Sequence, residues 1–260
     1  MSQPIDLTAS LVLYKNEPEM IVRVIKSLLD TPLNSRLYVV DNSPTPELSA
    51  VITKFENTDY YYADCNLGFG KAHNFAMSKV EKSKYHLILN PDISFGEEVI
   101  PKLVDYLEEN KEVGLIQPKV LFPDGATQYL CKRYPTFLVF FVRRFIPKNL
   151  HFLIKKNLDW YEMRDTGYDK IIDVPFLSGC FMLLRREALE KIGYFDENIF
   201  MYCEDIDLTI RMAKCYRAVF YPYVSIFHYW EGGARKSLKL TLIFIQSAIY
   251  FFNKHGWKFI

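Results

Sequence analysis

Cysteine is scarce in this chain: five among 260 residues, an odd number, with no C-x-x-C pair. That argues against a disulfide framework and a thiolate zinc site, and it predicts a reducing compartment. Long apolar runs are also missing, none reaching the roughly 18 residues that span a bilayer. No charged-then-apolar signal opens the chain, because its first apolar run is broken at Lys15. The expected location is the cytoplasm, including a peripheral position at the inner face of the plasma membrane. Glycine is absent from Leu11-Val12-Leu13-Tyr14-Lys15-Asn16, where an enzyme that makes nucleotide sugars carries a Gly-rich basic phosphate loop. Acidic residues vanish from two stretches. Residues 125–158 hold seven Lys and Arg and no Asp or Glu, and residues 232–260 hold five and none.

What the chain does have is apolar bulk. Half its residues are hydrophobic and 16% are aromatic, enough for a sizeable core and too much for disorder. In the first half, short β-rich runs alternate with helical patterns, the sign of a parallel sheet with crossover helices. Strands are predicted over Leu7–Leu13, Leu37–Val40, Tyr60–Ala63, Tyr85–Leu89 and Val113–Val120. Helices are predicted from Pro18, where a missing N–H costs nothing, and over Glu47–Phe55, Lys71–Val80 and Val99–Leu107. The pattern breaks over 122–173, an aromatic and basic insertion expected to lie on the sheet face. Beyond it come a strand at Phe181–Leu184, helices at Arg186–Ile192 and Glu204–Ala213, and short strands at Ala218–Tyr221 and Ser225–Phe227. A final amphipathic helix is predicted from Leu238 to about Phe252. No repeat or low-complexity linker interrupts the chain, so one domain is expected over 1–260. Its parts are an α/β portion (1–121), the insertion (122–173) and a final portion (174–260).

Two acidic sites stand out. Asn90-Pro91-Asp92 closes an apolar strand, where open α/β sheets place their ligands. Alternate residues of an extended segment face the same way, so Asn90 and Asp92 can point together. A carboxylate there can hold Mg2+ or Mn2+ against substrate phosphates. Asn-Pro-Asp is equally a good turn sequence. Glu204, Asp205 and Asp207 crowd a predicted helix start behind Phe200-Met201-Tyr202. The helix dipole favours acids there, and Asp207 can pair with Arg211 one turn on. Crowded, partly buried carboxylates would also raise one another's pKa, as a general base requires.

Weaker signals accompany them. His228 closes Ser225-Ile226-Phe227 and can complete a metal site begun by Asp92, although a lone histidine on such a strand is commonly a hydrogen-bonded core residue. Asn66-Leu67-Gly68-Phe69-Gly70-Lys71-Ala72-His73-Asn74 joins a strand to a helix, with glycines that permit close backbone approach and a helix start with free N–H groups. His73 stands where a dinucleotide fingerprint has its third glycine, so a Rossmann oxidoreductase fits poorly. Asp41, ending the second strand, can accept hydrogen bonds from a nucleobase or ribose.

Together, and in this order, these segments resemble glycosyltransferase family 2, with its GT-A fold, and most closely the bacterial rhamnosyltransferases. The likeness runs through Tyr14, Val39-Val40-Asp41-Asn42-Ser43, Asn66-Leu67-Gly68-Phe69-Gly70 with Asn74, and Leu89-Asn90-Pro91-Asp92. It continues through Phe176-Leu177-Ser178-Gly179, Gly193-Tyr194-Phe195-Asp196-Glu197, Tyr202-Cys203-Glu204-Asp205-Ile206-Asp207 and His228. Arg133-Tyr134-Pro135 is similar to a short element of the rhamnosyltransferases.

The resemblance implies an inverting, metal-dependent sugar transferase. By it, Tyr14 and Asp41 would bind base and ribose, with Asn66, Gly68, Asn74, Asn90 and Asp92 on the donor side. Asp92 and His228 would meet the metal, Asp205 would be the general base, and Ser178, Gly179 and Glu204 would line the sugar and acceptor pocket. The first acid of the family's D-x-D motif is here Asn90, so the donor diphosphate would have to bring the ion; by the same resemblance 1–121 would be the nucleotide-sugar-binding half and 174–260 the acceptor-binding, catalytic half. The resemblance favours dTDP-rhamnose as donor and a polyprenyl-diphosphate-linked saccharide as acceptor, with UDP- or GDP-sugars as alternatives. A sugar nucleotidyltransferase and a non-catalytic nucleotide-sugar-binding module remain as competing classes. Greasy aromatics among the basic residues speak against nucleic acid and for a peripheral membrane contact.

Overall fold

The structure is a computed structural model and describes residues 5–80, 82–145, 154–230 and 237–259. The first strand, β1 (Leu7–Leu13), is buried along nearly its whole length, Thr8 and Ser10 included, as in a strand covered on both faces. Helix α1 (Pro18–Leu29) starts on proline and buries Ile21, Val24, Ile25 and Leu28, one stripe at helical spacing. Strands β2 (Ser35–Asp41) and β3 (Thr58–Tyr62) run parallel to β1, as does β4 (Tyr85–Leu89) on its other side. Helix α2 (Ser49–Ile52) lies before β3, and α3 (Phe69–Lys79) crosses from β3 to β4.

Past β4 the chain makes a short strand, β5 (Ile93–Phe95), then α4 (Val99–Glu109) and β6 (Val113–Leu121). The insertion carries α5 (Phe137–Phe145), α6 (Lys155–Tyr161), a 3-10 turn at Arg164–Thr166 and β7 (Ile172–Asp173). The remainder is β8 (Phe181–Arg185), α7 (Arg186–Ile192), α8 (Glu204–Met212), β9 (Arg217–His228) and α9 (Leu238–His255).

Among the described residues nine strands join one mixed sheet in the order β3-β2-β1-β4-β8-β6-β9-β5, with β7 paired to β9. Strands β1 to β3 build outward in one direction and β4 is added on the other side of β1. This reversal leaves a crevice at the carboxyl ends of β1 and β4, where ligands of open α/β sheets bind. Alternate residues feed two cores. Leu87, Leu89, Phe181 and Leu183 face the layer of α1 and α4, while Ile88, Met182 and Leu184 face that of α7 and α8. A third cluster joins α5, α8 and α9 through Phe140, Ile206, Phe251 and Phe252.

Several boundaries differ from the sequence reading. The helix expected over Glu47–Phe55 shrinks to Ser49–Ile52, since Pro44 and Pro46 hold the chain out of helix on one side and Asn57 turns it at φ 58° on the other. The two strands expected at 218–221 and 225–227 are a single β9. A register shift against β6 between Pro118 and Lys119 takes up the residues around Pro222, which cannot donate to the ladder. The insertion is more regular than expected, with two helices and a bridge between Lys132 and Phe176. Phe152 and Lys148 of that insertion, and the Glu231-Gly232-Gly233 segment with Arg235 and Lys236, lie outside the described residues.

Candidate active site

The residues singled out in the sequence fall along one edge of the sheet. Tyr14 is exposed just past β1, and the loop there is tied to the end of β2 by the Lys15 N–H donating to Ser43 Oγ at 2.9 Å. Asp41 is fully buried. Its Oδ1 accepts from the Ser43 N–H at 2.9 Å and its Oδ2 from the Tyr60 hydroxyl at 2.7 Å. Burial, and then the Asp41 carboxylate, push the Tyr60 phenol well above its ordinary range, so it stays a donor.

The Asn66–Asn74 segment does something other than expected. The Gly68 N–H donates to Asn66 Oδ1 at 2.9 Å and the Phe69 N–H to the Phe200 carbonyl at 2.9 Å, so two of the N–H groups at the start of α3 are taken by protein. Gly68 sits at φ 84°, and a Cβ there would lie 2.3 Å from the Phe200 oxygen. Its close approach is thus to the loop preceding α8. Asn74 pairs both ways with the backbone of Phe195, donating to its carbonyl at 2.9 Å and accepting from its N–H at 3.0 Å. Gly68, Phe69 and Asn74 thus fasten the 195–203 loop to α3 and the turn before it. That geometry corrects the expectation of glycines and free N–H groups facing a ligand.

Asn90-Pro91-Asp92 leads from β4 directly into β5, which pairs antiparallel with the end of β9 so that Ile93 faces His228. The Tyr229 N–H donates to the Asp92 carbonyl at 2.8 Å, and His228 Nε2 comes to 3.3 Å from Asp92 Oδ2. Gln128 completes the arrangement. Its amide nitrogen donates to the His228 carbonyl at 2.8 Å, which leaves Oε1 to face His228 Nδ1 at 2.9 Å. A carbonyl-type oxygen can only accept, so Nδ1 carries a proton and Nε2 is the ring nitrogen turned toward Asp92. Both Asp92 Oδ1 and His228 Nε2 are buried and lack a hydrogen-bond partner. Buried polar atoms without partners beside one another can hold a cation, and the Asp92 carboxylate suits Mn2+ or Mg2+. Among the described residues no group of three or more His, Cys, Asp or Glu could hold a metal. The protein therefore offers this pair, and Asn90, half-buried beside it, is the departure that leaves the set short.

Asp205 reaches the same edge from the opposite half. The Asn90 N–H donates to the Cys180 carbonyl at 2.9 Å, which docks the end of β4 on the loop before β8. One residue earlier in that loop, the Gly179 N–H donates to Asp205 Oδ2 at 3.0 Å, and Asp205 Oδ1 accepts from the Ile206 N–H at 2.9 Å. Gln117 holds the loop by donating to the carbonyls of Ser178 and Phe181 at 2.6 and 2.7 Å. The Cys180 thiol is pushed up to about 12 chiefly by burial, and the charges of Asp92 and Asp205 raise it further.

The three acids of α8 have separate fates. Burial raises Asp205 to about 6 in spite of its two backbone donors. Burial, then the neighbouring Asp205 charge, raise Glu204 well above the usual range, and its Oε2 is buried without a partner. Asp207 goes the other way. It is fully buried, and Arg211 at 2.8 Å, Lys254 at 2.7 Å and His255 at 2.8 Å outweigh the upward pull of burial and lower its pKa. The pairing with Arg211 is as expected; the mutual raising of all three acids is not, because α9 delivers two basic groups to Asp207. Tyr202 and Cys203, just before the helix, both sit in the left-handed region at φ 69° and 68°, a strained turn of the kind that positions functional groups.

Gln128, Gln117, Lys254 and His255 escaped the sequence reading. Gln128 and His228 are 100 residues apart, and nothing local to either marks the pair.

The model of the family described as "Glycosyl transferase family 2" matches residues 11–193. An N-acetylglucosaminyl-diphospho-decaprenol L-rhamnosyltransferase of Mycobacterium tuberculosis is 26% identical over 266 residues, covering 95% of this chain and 84% of that protein. Rhamnosyltransferase WbbL of Escherichia coli K12 is 26% identical over 227 residues, covering 84% of this chain and 80% of its own length. In fold, the chain is similar to a mannosyltransferase of Pyrobaculum calidifontis solved with GDP-Man and Mn2+, at TM-score 0.63 and 17% identity, covering 96% of this chain and 63% of that one. It is also similar to GalNAc-T7 solved with UDP, GalNAc and Mn2+, at TM-score 0.65 and 13% identity over 96% of this chain and 50% of the other. With its GT-A-like α/β sheet and a family match over most of its length, the chain belongs to glycosyltransferase family 2 and is a glycosyltransferase similar to bacterial rhamnosyltransferases.

Proposed function

We propose that the chain is an inverting, metal-dependent transferase that moves L-rhamnose from dTDP-rhamnose onto a saccharide carried on a polyprenyl diphosphate, in cell-surface polysaccharide synthesis. The observation that carries this reading is the Gly179-Cys180 loop, which binds Asp205, raised to about 6 by burial, through Gly179 and meets the strand end leading to the orphaned Asp92–His228 pair through the Cys180 carbonyl. The two curated relatives supply the sugar, both being rhamnosyltransferases by name, and the mycobacterial one supplies the lipid-linked acceptor.

In this reading the 1–260 chain works as one catalytic unit. Asp41 and the Tyr14 loop meet base and ribose, and Asn90 lies beside the diphosphate. Asp92 and His228 would hold Mg2+ or Mn2+, which when bound stabilises the departing diphosphate as a Lewis acid. Asp205 takes the proton of the acceptor hydroxyl as that oxygen attacks the anomeric carbon opposite the leaving group, and the carbon inverts. Gly179 aims the carboxylate; Ser178 and Glu204 border the space in which sugar and acceptor meet. The acceptor's lipid places the enzyme at the inner face of the membrane.

Calorimetric binding of dTDP-rhamnose, UDP-GlcNAc, UDP-galactose and GDP-mannose, each with and without Mn2+, tests the donor. Selective, Mn2+-dependent binding of dTDP-rhamnose supports the assignment. Tighter binding of a UDP- or GDP-sugar discards rhamnose and keeps the transferase.

A further inference from the structure

On α5, Phe137, Phe141 and Phe145 are spaced four apart and form a single stripe, each between 44% and 45% exposed. The opposite side of the same helix buries Val139, Phe140 and Val142, and Phe140 packs on Phe244, Phe251 and Phe252 of α9. The stripe does not end with the helix. The segment after α9 returns to the start of α5, where the Phe137 N–H donates to the Lys258 carbonyl at 2.7 Å. Trp257 and Phe259, 42% and 62% exposed, come to 6.1 and 6.3 Å from the Phe137 ring. Five large aromatic side chains thus form one continuous exposed surface. Single exposed apolar residues need no explanation, but a contiguous aromatic patch marks a contact.

Charge decides the partner. Every residue of this surface comes from the two acid-free stretches, so no carboxylate of its own segments faces what docks on it. Lys258 stands on the tail with its ammonium over the Tyr134 ring, and Arg143 and Arg144 lie within α5 between Phe141 and Phe145. Some of this charge is shared, Arg143 with Glu162 at 3.5 Å among others. A second copy docked on the same face would set like charge against like. An anionic bilayer is the complementary surface: aromatic rings enter the headgroup boundary while Lys and Arg meet lipid phosphates. Among the described residues no helix is long and apolar enough to cross a membrane, which leaves a surface contact. The patch is built on the catalytic half, because Phe140, Phe251 and Phe252 share a core cluster with Cys203 and Ile206, which flank Glu204 and Asp205.

We infer that the stripe Phe137–Phe141–Phe145 with Trp257 and Phe259 is the surface that docks this enzyme on anionic lipid, a step that rests on the lipid-linked acceptor proposed above and names the face that meets the membrane. The docked face fixes the orientation of α8, so the Asp205 edge stands at a set height above the headgroups, where a saccharide on a membrane-bound carrier can reach it.

Flotation of the full chain with phosphatidylglycerol-containing vesicles, against pure phosphatidylcholine, tests the inference. The parent is expected to float with the anionic vesicles and to release in high salt. Phe141→Ser with Phe145→Ser is expected to weaken binding roughly tenfold or more, with an unchanged melting temperature because both rings are solvent-facing. Lys258→Glu, also exposed, should weaken binding and flatten its salt dependence. In a Trp160→Phe, Trp230→Phe background, brominated acyl chains should quench the remaining Trp257. Equal flotation of parent and both variants overturns the inference, as does an unquenched Trp257. So does a parent dimer that Phe141→Ser splits into monomers, since a second copy then covers the face. Calorimetric binding of dTDP-rhamnose by the same variants reports on the transferase reading alone, so either result can fail without the other.

Discussion

The Gly179 N–H donates to Asp205 Oδ2 at 3.0 Å, joining the loop before β8 to the first turn of α8 and fixing which way the carboxylate points. Burial is the larger influence on that group and holds it at about 6. A base must be unprotonated, so kcat/KM should rise with pH through about 6 and level off above it. A group at the ordinary carboxylate value would give a profile already flat there. Asp205→Asn should retain donor binding and lose roughly 100-fold to 10,000-fold in turnover. Relieved of a buried charge, it should melt no lower than the parent, which separates lost chemistry from lost fold. Retained turnover would remove Asp205 as the base.

Gln128 sets the histidine. By accepting from Nδ1 and donating to the backbone of the same residue, it holds the ring with Nε2 turned toward Asp92. Gln128→Leu removes both contacts while filling the space, and frees the ring to turn or change tautomer. Partners of this kind are worth about 10-fold to 100-fold in metal affinity. Mn2+ titration in the presence of dTDP, followed by electron paramagnetic resonance, should show a loss of that size with dTDP binding in the absence of metal unchanged. Chelation should abolish turnover of the parent and Mn2+ or Mg2+ should restore it. Full activity in excess chelator would remove the metal from the mechanism.

Asp207 holds the C-terminal helix. A fully buried carboxylate facing Arg211, Lys254 and His255 ties α8 to α9, and Arg211 also donates to the carbonyls of Ile192 and Gly193, both at 2.8 Å. Asp207→Ala leaves those basic groups gathered round a void. Removing one partner of a buried pair costs about 3–5 kcal/mol. Urea unfolding should show a drop of that order, and a change below about 1 kcal/mol would mean the cluster is solvated and holds little.

How far these features could be read in advance depended on whether their cause is local. β1 and α1 are local: a short, mainly apolar run closing on Leu11-Val12-Leu13 and a Pro-started apolar stripe say strand and helix by themselves. Asn90-Pro91-Asp92 was visible because it ends such a run. β5, three residues long, has no periodicity to read, yet its register against β9 is what sets Asp92 beside His228. Asp205 and Asp207 look alike in the sequence, and only the return of α9 separates a carboxylate held near 6 from one locked in ion pairs. Gly68 announced that something approaches its backbone without showing that it is Phe200.

Beneath α3, polar side chains form an unbroken chain, buried except at Ser83. Ser83 meets Thr8 at 2.7 Å, Thr8 meets His86 Nδ1 at 3.0 Å, and Ser10 bridges His86 Nε2 at 2.9 Å to His73 Nδ1 at 2.7 Å. Both rings are fully buried. Burial lowers His73 to about 3 and, with smaller contributions from Arg186 and His73, lowers His86 well below its usual value. The unfolded chain binds protons at these rings once the pH drops below about 6.5, and the folded chain does not. Stability is therefore complete above about 6.5 and is lost progressively on acidification toward about 3, at roughly 1.4 kcal/mol per pH unit for each ring. Replacing His86 with Gln, which can still hydrogen bond to Thr8 and Ser10, should remove one ring's share of that slope, whatever it costs at neutral pH. Urea midpoints taken across the acid range would show this, and parallel curves for parent and variant would mean that His86 is protonated in the folded protein.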